Sequence, residues 1–140
     1  MVAIIGIATT ATLQAGSALQ RRAAEEELLA IGFEFQQALT SYANATPPGK
    51  KRAPESLQDL LKDPRYPNIR RHLRKVYPDP MTGNEQWGIV PALDGGGIAG
   101  FYSLSEKAPI KIGNFDPAFA GFEGKSSYRE WKFSGLPLAR

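Results

Sequence analysis

The sequence predicts an α+β fold in which one long N-terminal α-helix lies across a small antiparallel β-sheet. Three observations predict it. Met1 to Gln20 carry no charge, and the charged run Arg21-Arg22-Ala23-Ala24-Glu25-Glu26-Glu27 follows with no turn residue between them. The 11 prolines and 14 glycines fall almost wholly after Ala45, which divides the chain into a helical front and a turn-rich back. Near the C-terminus, Ser127 to Phe133 alternates in character, with Tyr128, Glu130 and Lys132 on one side and Arg129, Trp131 and Phe133 on the other.

The front segment is apolar over Met1 to Ala8 and weakly so over Thr9 to Gln20. It has the length of a membrane span, about twenty residues, but not the hydrophobicity in its second half. No positive charge precedes Val2, as a secretory signal peptide would require, although Ala15-Gly16-Ser17-Ala18 has the small residues of a cleavage site. Ala, Gly, Ser and Thr let helix backbones approach closely, so packing among like helices accounts for the composition best.

From Arg21 the period becomes 3.6. Ala24, Leu28, Ile31, Phe35, Ala38, Leu39 and Tyr42 fall on one face, with Arg22, Glu25, Glu26, Glu34, Gln36 and Gln37 mostly off it. The helix should end near Asn44, before Thr46-Pro47-Pro48-Gly49. A helix from Met1 to Tyr42 would run about 63 Å at 1.5 Å per residue. The hundred or so residues that follow would form a body with a radius of gyration near 13 Å. The front half, residues 1–20, is therefore expected to protrude, and residues 21–140 to form the globular head.

In the back half, Pro54 to Leu61 reads as a short helix with Leu57, Leu60 and Leu61 inward, stopping near Asp63-Pro64. Asn68 to Arg74 is expected to add a helical turn carrying Ile69 and Leu73. Pro78-Asp79-Pro80-Met81-Thr82-Gly83-Asn84 is dense turn chemistry. Strands are expected at Trp87 to Val90, Ile98 to Leu104 and Ser127 to Phe133, forming an antiparallel meander covered by the helix.

Composition bounds function only loosely. The 140 residues, 42% hydrophobic, suit one domain with a modest core. There is no cysteine, so disulfides and thiolate metal sites are excluded. A net charge of +3, from 17 basic and 14 acidic residues, gives little support for nucleic-acid binding.

The motifs that could carry chemistry fail individually. Gly95, Gly97 and Gly100 match G-x-G-x-x-G, but β-like sequence follows where a dinucleotide loop needs a helix, so the segment reads as a turn. Asp79 to Glu85 breaks the alternation of a calcium loop at positions 81 and 83, and reads as a polar turn with Asp79 capping local amides. Asn114-Phe115-Asp116-Pro117 reads as a loop, and Ser103, Ser105 and Lys107 do not make S-x-x-K. His72, the one histidine, sits in the basic run Arg70-Arg71-His72-Leu73-Arg74-Lys75, with no orienting carboxylate evident. Asn44-Ala45-Thr46 fits a glycosylation sequon, a pattern frequent by chance. No catalytic, cofactor-binding or metal-binding residue is assigned.

The layout resembles the type IV pilin-like proteins, and among them the pseudopilins of bacterial type II secretion systems. Met1-Val2-Ala3-Ile4-Ile5-Gly6-Ile7-Ala8 is similar to the apolar run after that family's methylation motif. The unbroken passage into Arg21 to Leu29 fits too, and Tyr77-Pro78-Asp79-Pro80 with Gly83 and Trp87-Gly88 resembles the family's Asp-Pro-x-x-Gly turn. The family's cleavage-site Gly, the aromatic residue after it and the glutamate five positions into the mature chain do not precede Met1. Processing and N-methylation are therefore carried onto no residue here, nor is the C-terminal calcium loop of the major members.

The resemblance implies a pilin-like head and a non-enzymatic subunit of a secretion pseudopilus. Its helix would sit first in the inner membrane, with the head in the periplasm, then pack with homologous subunits in a filament. Val2, Ile4, Ile5, Ile7 and Leu13 are the expected assembly interface. No cofactor, nucleic acid or small-molecule substrate is expected. The alternatives are a pilin for adhesion, motility or DNA uptake, and a secreted periplasmic domain behind an unusual signal peptide.

Overall fold

The computed structural model describes residues 2–92, 97–119 and 121–135, with side chains described from Leu19 onward. Its first element, α1, runs unbroken from Val2 to Asn44, 43 residues or about 65 Å. It stops ahead of Pro47-Pro48, where the ring and the missing N–H would break the ladder. Next come α2 (Leu57–Leu61), β1 (Gly88–Pro91), β2 (Ile98–Tyr102) and β3 (Phe133–Ser134), with single 3-10 turns at Pro117–Phe119 and Tyr128–Glu130.

The three strands form one antiparallel sheet in the order β1-β2-β3, and α1 packs against it. Gly88 faces Tyr102, Ile89 faces Phe101, and Phe101 in turn faces Phe133 across the other ladder. A bulge between Val90 and Pro91 ends β1, an edge strand that tolerates the proline's missing donor. Gly97 has φ +89°, and its carbonyl accepts from the Ala92 amide, as a tight reversal between β1 and β2 requires. Gly95 and Gly96, the rest of that glycine run, lie outside the described residues.

The predicted stripe is the buried one: Leu28, Ile31, Phe35, Ala38, Leu39 and Tyr42 are all buried. It feeds two clusters. Toward the C-terminal end of α1, Phe35 and Leu39 meet Leu60, Leu73, Ile98 and Phe101. Toward the N-terminal end, Leu28 meets Phe119, Phe122, Tyr128, Trp131 and Phe133. Phe122 stacks on Trp131 at 5.6 Å, and Phe35 lies 4.6 Å from Phe101 and 4.9 Å from Trp87. Gly32 lets α1 come close to β3, because a β-carbon there would overlap the Phe133 ring.

Several expectations are corrected. Ser127 to Phe133 is not a strand: Tyr128–Glu130 is a 3-10 turn, and pairing begins only at Phe133. The Ser127 side chain takes the Glu130 amide while the Glu130 carboxylate takes the Ser127 amide, a capping box that wins over the alternation. Tyr128 therefore joins Trp131 and Phe133 in the core. Asn68 to Arg74 is not helical. The amides of His72 and Leu73 both reach the Leu60 carbonyl, and Asp63 N–H reaches Arg70, so the segment is an irregular loop tied to α2. Leu73 is buried as expected, but Ile69 is 70% exposed. The short helix starts at Leu57 rather than Pro54, and β2 ends at Tyr102 rather than Leu104. Glu25 and Gln36, expected off the stripe, are both buried.

Candidate functional site

The expected assembly residues Val2, Ile4, Ile5, Ile7 and Leu13 lie in the N-terminal part of α1, and their side chains are outside the described residues. Among the described residues, no helix is long and apolar enough to cross a membrane. Among them, too, no group of three or more acidic or histidine side chains is placed to hold a metal ion. Where side chains are described, the chemistry concentrates in three buried polar clusters, two of which fasten α1 to the head, and in one apolar groove beside α1.

The first cluster lies at the C-terminal end of α1. Asp63 is fully buried. It accepts from Arg65 Nε at 2.8 Å, from Arg65 Nη2 at 2.7 Å and from His72 Nε2 at 3.0 Å. Burial pushes the Asp63 carboxyl up, but the hydrogen bonds from Arg65 and His72 outweigh it and hold the group far below the usual carboxylate range. Arg65 also donates to the carbonyls of Tyr42 and Lys51 and to the Thr46 hydroxyl, and its guanidinium lies 3.6 Å from the Tyr42 ring centroid. Orphan carbonyls at a helix C-terminus need such donors, and one arginine meets them with its planar fork. Burial raises the Tyr42 phenol.

His72 Nδ1 meets Ser41 Oγ at 2.7 Å, so Ser41, His72 and Asp63 form a connected serine, histidine and carboxylate. This carboxylate partner, nine residues upstream in the same loop, is not evident from the sequence. The connectivity is that of an acyl-transfer triad. Ser41 lies within α1, however, where backbone amides are committed to carbonyls four residues back and cannot form an oxyanion hole beside Oγ. The bidentate Arg65 further neutralises the carboxylate that would stabilise an imidazolium. The cluster's evident work is to fasten the 63–73 loop to the end of α1.

The second cluster is the Asp79 turn. Asp79 is fully buried. Its Oδ1 accepts the Met81 amide at 2.8 Å and its Oδ2 the Ser103 hydroxyl at 2.7 Å. Its carbonyl takes the Gly83 amide, and Gly83 has φ +82°. The expected capping turn is present, and it is also pinned to the end of β2.

The third is Glu25. Its carboxylate accepts the amides of Ile110 and Lys111 at 2.8 and 2.9 Å and the Tyr128 hydroxyl at 2.7 Å. Arg21, one turn earlier, donates to the Ala108 carbonyl and lies 5.9 Å from the Tyr128 ring centroid. Burial, then the bond to Glu25, raises the Tyr128 phenol. Residues 108–111 are thus strapped to α1. No pattern of spacing marks Glu25 among its acidic neighbours, because its partners lie 85 to 103 residues away.

The groove holds about 450 Å³ between α1 and residues 111–119. Leu29, Phe33, Phe115, Ala118 and Phe119 form its apolar walls, and Glu26, Asp116 and Lys111 its rim.

No protein-family model, no curated protein and no solved structure matches the chain.

Proposed function

We propose that the chain is a structural, non-enzymatic pseudopilin subunit of a bacterial type II secretion pseudopilus. In this reading its N-terminal helix first resides in the inner membrane with the head in the periplasm. The helix then packs with homologous subunits in a filament that supports protein export. One observation carries the reading: α1 runs unbroken for 43 residues, about 65 Å, against a radius of gyration near 13 Å for a body of about a hundred residues. A helix longer than its own domain needs something else to pack on, and the uncharged stretch before Arg21 is suited to apolar burial against other helices. The Asp79 turn pinned at the sheet supports it as well, since the resemblance rests partly on that turn.

The test is assembly of the full chain with its secretion machinery. Ile5→Lys and Leu13→Lys should abolish sheared filaments while leaving the melting temperature of the head unchanged. Mass spectrometry of the mature chain provides the opposing outcome. A soluble periplasmic monomer cleaved near Ala18 would replace this reading with a secreted domain.

A further inference from the structure

The groove beside α1 and the loop beyond its C-terminal end are opposite in charge, and each exposes apolar surface. The groove is apolar, with Glu26 and Asp116 on its rim, and the Lys111 ammonium lies 5.2 Å from the Phe115 ring centroid. The loop presents Ile69, 70% exposed, next to Arg70 and Arg71. It is tied down by the His72, Leu73 and Asp63 backbone bonds, and Arg70 lies 4.6 Å from the Tyr66 ring centroid. An exposed isoleucine followed by two arginines is thus opposite in charge to an apolar trough lined by two carboxylates, Glu26 and Asp116, against the single cation Lys111.

Two further facts give the match a direction. Residues 50–75 hold nine Lys or Arg against three Asp or Glu, a net of +6 in a chain whose total is +3, so the remainder is −3. The basic pole lies at the C-terminal end of α1, where Arg70 flanks Ser41, Asn44 and Ala45. The groove lies beside Glu26 to Phe33. Ala30, Phe33, Gln37, Ser41 and Asn44 recur at three- and four-residue spacing, so both features border one face of α1, about 20 Å apart along its axis. Ala30, Gln37, Ser41 and Asn44 are exposed on that face.

We propose that the Ile69-Arg70-Arg71 knob of one copy docks in the Leu29/Phe33/Phe115 groove of the next. The contact is heterologous, head to tail, with copies offset along the helix axis. Such contacts repeat without closing when the offset is a translation, and so build a line of heads. The proposal rests on the filament reading for its setting, and names the surface through which the heads, rather than the helices, recognise each other. An isologous pairing would place like charges together at the knob.

The absence of cysteine makes the test free of background. The full chain carrying both Ile69→Cys and Ala30→Cys is oxidised under assembly conditions. A disulfide needs the two α-carbons within about 7 Å, so a ladder of dimer, trimer and higher species reports docking. Each single variant should stay monomeric on oxidation, and mixing the two singles should give dimer alone. Glu26→Lys with Asp116→Lys should remove the ladder, and Arg70→Glu with Arg71→Glu should restore it. Dimers from Ile69→Cys alone would overturn the proposal in favour of an isologous contact. Filaments visible by electron microscopy without a ladder would overturn it and leave the filament reading standing. A ladder without filaments would do the reverse, and loss of both would remove both.

Discussion

Arg65 grips Asp63 with two prongs, Nε to Oδ1 at 2.8 Å and Nη2 to Oδ2 at 2.7 Å, and both side chains are buried. A buried pair is a poor source of net stability, but removing one partner leaves an uncompensated charge. Asp63→Asn is therefore expected to cost about 3–5 kcal/mol at pH 7, read by chemical denaturation. The pH dependence should change with it. The folded Asp63 carboxyl lies below its unfolded value, so its contribution is complete above about pH 4 and is lost as pH falls below that. The wild-type chain should lose stability on acidification, and Asp63→Asn should lose visibly less. Equal acid slopes would show that the carboxylate is not held down.

Gly32 and Phe133 set two effects against each other. Alanine is a better helix former than glycine by about 1 kcal/mol, so Gly32→Ala should stabilise an isolated α1. In the fold, the added methyl overlaps the Phe133 ring, which is fully buried among Phe119 and Phe122 and has nowhere to move. Overpacking of this kind costs about 1–3 kcal/mol, so Gly32→Ala should destabilise on balance. Pairing it with Phe133→Leu should cost less than the sum of the two single changes. Strict additivity would mean that helix and ring do not touch.

Legibility in the sequence followed the range of the interaction. The stripe from Leu28 to Tyr42 could be read because a 3.6 period is local and six residues repeat it. The misplaced third strand had a local signal too: Ser127-x-x-Glu130 is a capping-box pattern, competing with an alternation only seven residues long. The Asp79 turn was legible as a turn, but its bond to Ser103, 24 residues on, was not. Ser41 lies on α1 and Asp63, Arg65 and His72 on the 63–73 loop, and their meeting depends on that loop being tied to Leu60. Nothing in the spacing of those residues encodes that closure.

Glu25 should behave as a strap. Glu25→Gln keeps the volume but replaces an acceptor that serves two backbone amides and the Tyr128 hydroxyl with a neutral group. Hydrogen bonds to a charged acceptor contribute about 1.5–3 kcal/mol, and part of this should be lost. Hydrogen exchange should quicken at Ile110 and Lys111, and stay unchanged at β2, which Glu25 does not touch. Uniform quickening across the head would instead indicate global destabilisation with no local strap.

Phe35 separates the two jobs of α1. Its ring is fully buried between Trp87 and Phe101, on the face turned to the sheet. Phe35→Ala should cost about 3–5 kcal/mol, seen as a large fall in the melting temperature of the head. Ile69→Ser, by contrast, changes an exposed side chain outside the core and should stay within about 0.5 kcal/mol of wild type. If the head folds as a unit on the back of α1 while the front serves assembly, Phe35→Ala should lower the amount of folded subunit. Whatever folds should still assemble. Leu13→Lys should do the opposite, leaving a head of normal stability that is not incorporated. A Leu13→Lys variant whose head melted early would tie the front of the helix to the core, and the division of labour along α1 would be wrong.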